Sequence, residues 1–309
     1  MNGIPSSTWF TAAPHWQWYI VFYFFIGGLA GGCYFLAAVI DLFGRRADRP
    51  LARLGYYVAF PAVLVSGLLL TVDLGRPLRF WHMLVERNTF EPMFKYWSPM
   101  SIGSWALLIF GAFTFVSFLA ALAEDDGIQL KYLRRLQWPA FRALRPPSAA
   151  GRLVAVLGGI AGFYIAGYTG ILLAVTNRPI WSDTPLLGML FLASAASTSA
   201  ALLTLLAHRA GWQLPGLADL HRFDDWVIVL ELVVLAAIVV SLGPVLQAWL
   251  NAWGALLVIG VVICGLVIPL VLSFRARRVA AGNVAIPAIL VLIGGFLLRV
   301  VVVLSSESI

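Results

Sequence analysis

Eight apolar stretches divide this chain. Each is long enough to cross the hydrocarbon core of a bilayer, which takes about 20 residues. They cover residues 18–43, 54–74, 102–123, 153–175, 186–207, 226–242, 252–274 and 284–304. In lipid no backbone N–H or C=O can be left unpaired, so spans of this kind are helices. The expected fold is therefore an all-α integral membrane protein with eight transmembrane helices. Polar aromatic residues crowd the first half, and Val/Leu/Ile runs fill the second. We therefore expect two four-helix bundles, residues 1–176 and residues 177–309. Composition agrees: charged residues are 11% of the chain, against roughly 25% in soluble domains. The first fourteen residues lack a basic n-region, so the first run is expected to be a true span and not a cleaved signal.

Basic residues set the expected orientation. Fifteen of the 21 Lys and Arg fall in one set of loops, around Arg45–Arg53, Lys131–Arg152, Arg209–Arg222 and Arg275–Arg278. Five fall on the other side: Arg76, Arg79, Arg87, Lys95 and Arg178. Positive-inside bias then puts both termini outside, together with the loop through residues 73–105. The formal charge of +7 is topogenic and faces anionic lipid headgroups, so no nucleic-acid partner is implied.

Small residues mark where helices approach closely. Gly27/Gly31 and Gly28/Gly32 are overlapping GxxxG pairs, Gly158/Gly162 is another, and residues 193–201 are all Ala, Ser and Thr. Such faces drive packing in lipid.

Some chemistry is excluded by residue type. The four histidines, His15, His82, His208 and His221, all fall near span ends, so a bis-His haem in the bilayer is not expected. Cys33 and Cys264 lie in separate apolar runs, which leaves no ligand set for an iron–sulfur cluster or zinc. Charges inside spans are costly and functional by default. Asp73 ends the second span, Glu231 lies in the sixth and Arg299 in the eighth. The spacing predicts that Arg299 reaches the outer leaflet and pairs with Asp73. Tyr164 and Tyr168 are four residues apart and share a helix face. The outer surface thus gathers His15, Gln17, Asp73, Arg76, His82, Ser98, Ser101, Tyr168 and Arg299. Polar groups rimming an apolar body suit a lipid-soluble molecule with a polar head, such as a quinone.

Four segments together resemble a known family. They are residues 25–32 (Phe-Ile-Gly-Gly-Leu-Ala-Gly-Gly), 73–77 (Asp-Leu-Gly-Arg-Pro) followed by Arg79-Phe80-Trp81, 98–105 (Ser-Pro-Met-Ser-Ile-Gly-Ser-Trp) and 167–172 (Gly-Tyr-Thr-Gly-Ile-Leu). The combination is similar to the NrfD/PsrC family, integral membrane subunits of polysulfide-reductase-type complexes. The resemblance implies a menaquinone- or ubiquinone-binding subunit of the cytoplasmic (inner) membrane that holds no haem or iron–sulfur cluster itself. It implies a ferredoxin-like iron–sulfur subunit docked outside and, beyond it, a molybdopterin catalytic subunit. Carried over by motif, His15, Gln17 and Tyr168 hold the quinone, with Arg76, Ser101 and Tyr164 beside it. Asp73 joins Tyr168 and His15 in the proton-coupled chemistry. Arg79, Trp81, His82, Arg87 and Lys95 form the docking surface.

On this reading the chain exchanges electrons between the quinone pool and the partner's cluster, and it is not active alone. Asp73, Arg299 and Glu231 would carry protons. The alternative is a proton-translocating subunit of a larger respiratory complex, similar to alternative complex III. In that case Glu231, Asp225 and Asp41 begin an inner half-channel toward Arg299. A secondary transporter would show an internal repeat and broken helices, and the sequence shows neither.

Overall fold

A computed structural model of the chain describes Trp16 and residues 18–124, 139–279 and 284–307. Eight helices in it are long and apolar enough to span a membrane. They are α1 (Trp18–Phe43), α2 (Arg49–Asp73), α3 (Pro99–Glu124), α4 (Ala149–Ala174), α5 (Leu187–Arg209), α6 (Pro215–Leu242), α7 (Ala252–Arg275) and α8 (Ala285–Glu307). Among the described residues the only β feature is an isolated bridge, Val85 to Pro92. The protein is an all-helical, multi-pass membrane protein. Within α7 the winding widens to a π-helix over Leu256–Val267.

The sixth helix differs most from expectation. It starts at Pro215 and not at residue 226. Proline is pre-organised for a first helical turn, and the charged residues His221, Arg222, Asp224 and Asp225 had hidden that turn from an apolar window. His221 therefore lies on a helix, not in a loop. Glu231 moves deeper, to about 24 Å along α6 at 1.5 Å per residue. Arg299 lies about 21 Å along α8 by the same rise. The two are level, near mid-membrane.

The first helix, α1, lies at the centre, packing against α2, α4, α5 and α8. Its glycines make this possible. A Cβ on Gly31 would lie 2.4 Å from the carbonyl oxygen of Gly162 in α4. One on Gly32 would lie 2.3 Å from Ser199 Oγ and 2.7 Å from the Ala195 carbonyl, both in α5. The two overlapping GxxxG pairs thus serve two different neighbours. On the α4 side Gly158 accommodates the Tyr34 ring, whose hydroxyl pairs with Ser117 at 2.7 Å.

The arginine-rich ends of α1–α4 are tied by ions. Arg145, just before α4, forms a fork on Asp41 at 2.6 and 2.8 Å and also bonds Glu124. Arg49 reaches Glu124 at 2.9 Å. Burial disfavours the Arg145 charge, but Asp41 and Glu124 outweigh it and raise the arginine's pKa above its usual value. Asp41 is thus held in this cluster by Arg145.

A side chain at Gly31 should separate α1 from α4, and overpacking of a tight core costs about 1–3 kcal/mol or more. Gly31→Val should lower the melting temperature of the purified protein and broaden its size-exclusion peak. Gly67→Ala, where nothing lies within 4 Å of the added Cβ, should leave both unchanged.

Candidate functional site

The loop between α2 and α3 is folded, not slack. A 3₁₀ turn covers Pro77–Met83. A hairpin-like return follows, closed by Met93 N donating to Leu84 O at 2.8 Å and Glu86 N to Glu91 O at 2.9 Å. The return leg is stitched to the start of α3. Trp105 Nε1 donates to Met93 O at 2.9 Å, and Lys95 N donates to Ser101 Oγ at 3.0 Å. Ser101 is therefore occupied in holding the loop. The outward face is unusually apolar for a loop: Leu78, Phe80, Phe90, Phe94, Tyr96 and Trp97 are all exposed. Arg76, Arg79, Arg87 and Lys95 are exposed among them. Large aromatics with basic residues on one exposed surface are the composition of a protein interface. Trp81 and His82 are half-buried, with Trp81 stacked on Phe90 at 6.5 Å. His82 Nε2 is buried without a hydrogen-bond partner.

Directly under this loop stands a tyrosine cluster. Tyr168 of α4 is buried, and its hydroxyl donates to the Pro99 carbonyl at 2.7 Å. Gly103 leaves room for that ring, since a Cβ there would lie 2.0 Å from the hydroxyl. Tyr164, partly exposed, lies 5.6 Å from Tyr168 between ring centroids. Tyr23 of α1 is buried close to both. On α2 the buried stripe stops at Ser66, and no residue from Gly67 to Asp73 is buried. This end of α2 is only half-buried, with Leu69 and Leu70 still packed against the core. Ser66 Oγ is fully buried, yet it has no hydrogen-bond partner. Thr169 Oγ1, next to Tyr168, is in the same condition. A buried hydroxyl without a partner costs about 1–3 kcal/mol, so these atoms mark where a polar ligand atom would be welcome.

Arg299 lies on the other flank of α1. Its Nη1 donates to Ser194 Oγ at 2.6 Å and Gly295 O at 2.7 Å, and its Nη2 to Phe191 O at 3.3 Å. Phe25 and Phe191 rings face the guanidinium at 5.8 and 5.2 Å. Glu231 is fully buried and close enough to couple to its charge, while Glu231 Oε1 and Arg299 Nε have no hydrogen-bond partner among the described residues. The expected Asp73–Arg299 pair does not form. Asp73 is partly exposed at the outer end of α2 and feels no Arg299 charge, because Arg299 sits at mid-membrane and not in the outer leaflet. Below Glu231, Ser197 donates to Asp224 at 2.6 Å, and Asp225 is buried beside it in sequence.

The loop before α5 is a plug. Trp181 Nε1 donates to Val302 O at 2.7 Å and Arg178 Nη1 to Ser306 O at 3.1 Å. Ser306 O is one of the last carbonyls of α8, which lack intrahelical partners, and Val302 O lies one turn before it. Trp181 also stacks on Trp16 at 5.1 Å. His15 and Gln17 lie outside the described residues, although Trp16 between them is buried against Trp181 and Phe24. Sequence reasoning missed Tyr23 and Ser66, which were hidden inside apolar runs. The available signal was Tyr23 one turn before Gly27, where a polar ring precedes a close helix contact.

Comparison with known proteins follows the same lines. The family model described as "Polysulphide reductase, NrfD" matches residues 10–308. A polysulfide reductase chain of Wolinella succinogenes is 27% identical over 314 residues, covering 95% of this chain and 94% of that protein. Protein NrfD of Escherichia coli is 27% identical over 302 residues, covering 92% and 91%. A selenate reductase subunit of Mesobacillus selenatarsenatis is 32% identical over 97 residues, 31% of this chain and 20% of that one.

The geometry separates Asp73 from Arg299, which the sequence had paired, and brings Arg299 near Glu231. Breaking a buried charge pair by removing one partner costs about 3–5 kcal/mol. Glu231→Gln and Arg299→Gln should each lower thermal stability, and the double variant should be clearly less than additive. Arg299→Gln combined with Asp73→Asn should be additive within about 0.5 kcal/mol. Coupling of Arg299 to Asp73 instead would contradict the observed arrangement.

Proposed function

The chain belongs to the NrfD polysulphide reductase family, and on that footing we propose that it is the membrane anchor and quinone-binding subunit of a molybdopterin-type oxidoreductase of the cytoplasmic membrane. The observation that supports this most is the join between crevice and loop. One side chain, Tyr168, lines the tyrosine cluster and hydrogen-bonds the residue where the exposed loop enters α3. A ring bound beside Tyr23, Tyr164 and Ser66 would sit immediately beneath whatever docks on that loop.

The donor set fits a quinone headgroup. Ser66 and Thr169 offer unpaired hydroxyls, and a ring would enter from lipid past the half-exposed Tyr164 and the half-buried end of α2. Tyr168 gives its only proton to Pro99, so it accepts from a ligand hydroxyl better than it donates to a carbonyl. That preference favours the quinol form. A bound quinone or quinol supplies two-electron redox chemistry. The chain's own residues hold its oxygens, exclude water from its body and pass protons at the outer rim through Asp73. His15 and Gln17 complete the rim in this proposal. Arg76, Arg79, Arg87 and Lys95, with the exposed aromatics, receive an iron–sulfur subunit of acidic surface, which leads in turn to the molybdopterin subunit.

A second reading has its own observation. Asp224, Ser197, Glu231, Ser194 and Arg299 place protonatable and hydroxyl groups from the inner part of α6 to mid-membrane. Charges at that depth are functional more often than structural. In this reading the same chain also moves protons. Glu231→Gln would then abolish proton release linked to turnover while electrons still flow.

Two experiments address the main reading. Tyr23→Phe and Ser66→Ala should raise the apparent KM for quinol by up to about tenfold, the range of one neutral hydrogen bond. The partner's half-reaction with an artificial electron carrier should be unaffected. Tyr168→Phe should slow quinol turnover and also weaken partner retention, because it cuts the Pro99 tether. Wild-type quinol kinetics in all three variants would place the pocket elsewhere. Separately, Arg87→Glu with Lys95→Glu should release the partner at moderate salt and leave the membrane chain folded, as read by co-purification and size exclusion. Unchanged co-purification would remove the loop as a docking surface.

A further inference from the structure

At the arginine-rich end of the bundle, α1, α2 and the start of α4 enclose a cavity of about 270 Å³. Its walls include Arg45, Arg46, Arg49 and Arg152, with Asp41, Pro146 and Pro147. The Asp41 carboxylate is already forked by Arg145, and Arg49 is engaged with Glu124 and the Pro146 carbonyl. Arg45, Arg46 and Arg152 are exposed and have no acidic partner among the described residues. Three like charges around one cavity repel one another unless an anion sits between them. The N-termini of α2 and α4, where partial positive charge collects, open at the same end. The lipid-facing flanks continue from the cavity as apolar surface. Val39 and Phe43 are exposed on α1, and Leu153, Val156 and Leu157 on α4.

We propose that this cavity is a binding site for a phosphate-bearing anion, and specifically for the headgroup of an anionic membrane lipid. Arg45, Arg46 and Arg152 grip the phosphate, and the acyl chains lie along Val39, Phe43, Leu153 and Leu157. The apolar flanks favour a lipid over free phosphate, which would use only the arginines. The site lies at the end of the bundle opposite the tyrosine cluster, so it is independent of quinone binding.

The test uses the intact complex purified in mild detergent. One variant is Arg45→Gln/Arg46→Gln/Arg152→Gln. The control is Arg209→Gln/Arg222→Gln/Arg275→Gln, which removes the same charge from exposed positions on the same face outside the cavity. Co-purifying phospholipid is quantified by mass spectrometry. Thermal stability is then followed after adding back phosphatidylglycerol, phosphatidylethanolamine or inorganic phosphate. Each arginine contributes about fivefold to anionic lipid affinity, about 1 kcal/mol, so the cavity variant should bind phosphatidylglycerol on the order of a hundredfold more weakly. Wild type and control should retain phosphatidylglycerol and be stabilised by it, and not by phosphatidylethanolamine or inorganic phosphate. Replacing the three arginines with lysine, which keeps the charge, should preserve most of the binding. Equal loss of lipid from both Gln variants would overturn the proposal by reducing it to general surface charge. Stabilisation of wild type by inorganic phosphate as strong as by phosphatidylglycerol would assign the cavity to free phosphate and overturn the lipid.

Discussion

The structure depends on how closely α1 can be approached. In lipid no hydrophobic force draws helices together, and packing at short range must do it. Four glycines on α1 provide that range on two flanks at once. Gly31 receives the backbone of α4, and Gly32 that of α5. Gly27 and Gly28 are neighbours in the chain and lie at nearly one depth. A Cβ on Gly27 would lie 3.6 Å from the orphaned Ser66 hydroxyl, and one on Gly28 would lie 3.4 Å from the Arg299 guanidinium. The two polar regions of the membrane interior therefore stand on either side of a single bare stretch of helix. A bulkier α1 would push both away.

That arrangement divides the chemistry. The tyrosine side, on α1, α2 and α4, carries neutral hydroxyls and opens toward lipid and the aromatic loop. The Arg299 side, on α5, α6 and α8, carries a charge pair enclosed by hydroxyls and carbonyls. A neutral lipid-soluble redox carrier suits the first. The second can hold a charge at mid-membrane only because Glu231, Ser194, Gly295 and Phe191 compensate it. The neutral hydroxyl cluster and the buried Glu231–Arg299 region thus have separate locations in one bundle, and α1 touches both.

Much of the fold was legible in the sequence because the bilayer imposes long apolar helices and permits little else. The eight spans and the glycine contact faces could be read directly, and residues 73–105 stood out as a loop, which the structure shows to be folded. The errors share a physical origin. A window of apolar residues finds where hydrocarbon begins, not where a helix begins. The charged first turns of α6 were therefore missed, Glu231 was placed too near the surface, and Arg299 was assigned to Asp73. Tyr23 and Ser66 escaped notice because one polar atom in an apolar run says nothing about its partner across the bundle. Whether Ser66 is satisfied depends on which side chains of α1 and α4 face it, and that is a property of packing. Ser101 bonds loop backbone, as short polar side chains readily do, and Tyr168 donates across the bundle to Pro99 O, a contact that sequence spacing does not reveal.

The central claim is that quinone binds between α1, α2 and α4 beneath the loop. Photolabelling of the assembled complex with an azidoquinone, followed by peptide mapping, tests it most directly. The account predicts labels on the segments around Tyr23, Ser66 and Tyr164, suppressed by excess unlabelled quinone. Quinone-suppressible labelling confined to α5, α6 or α8 would contradict it.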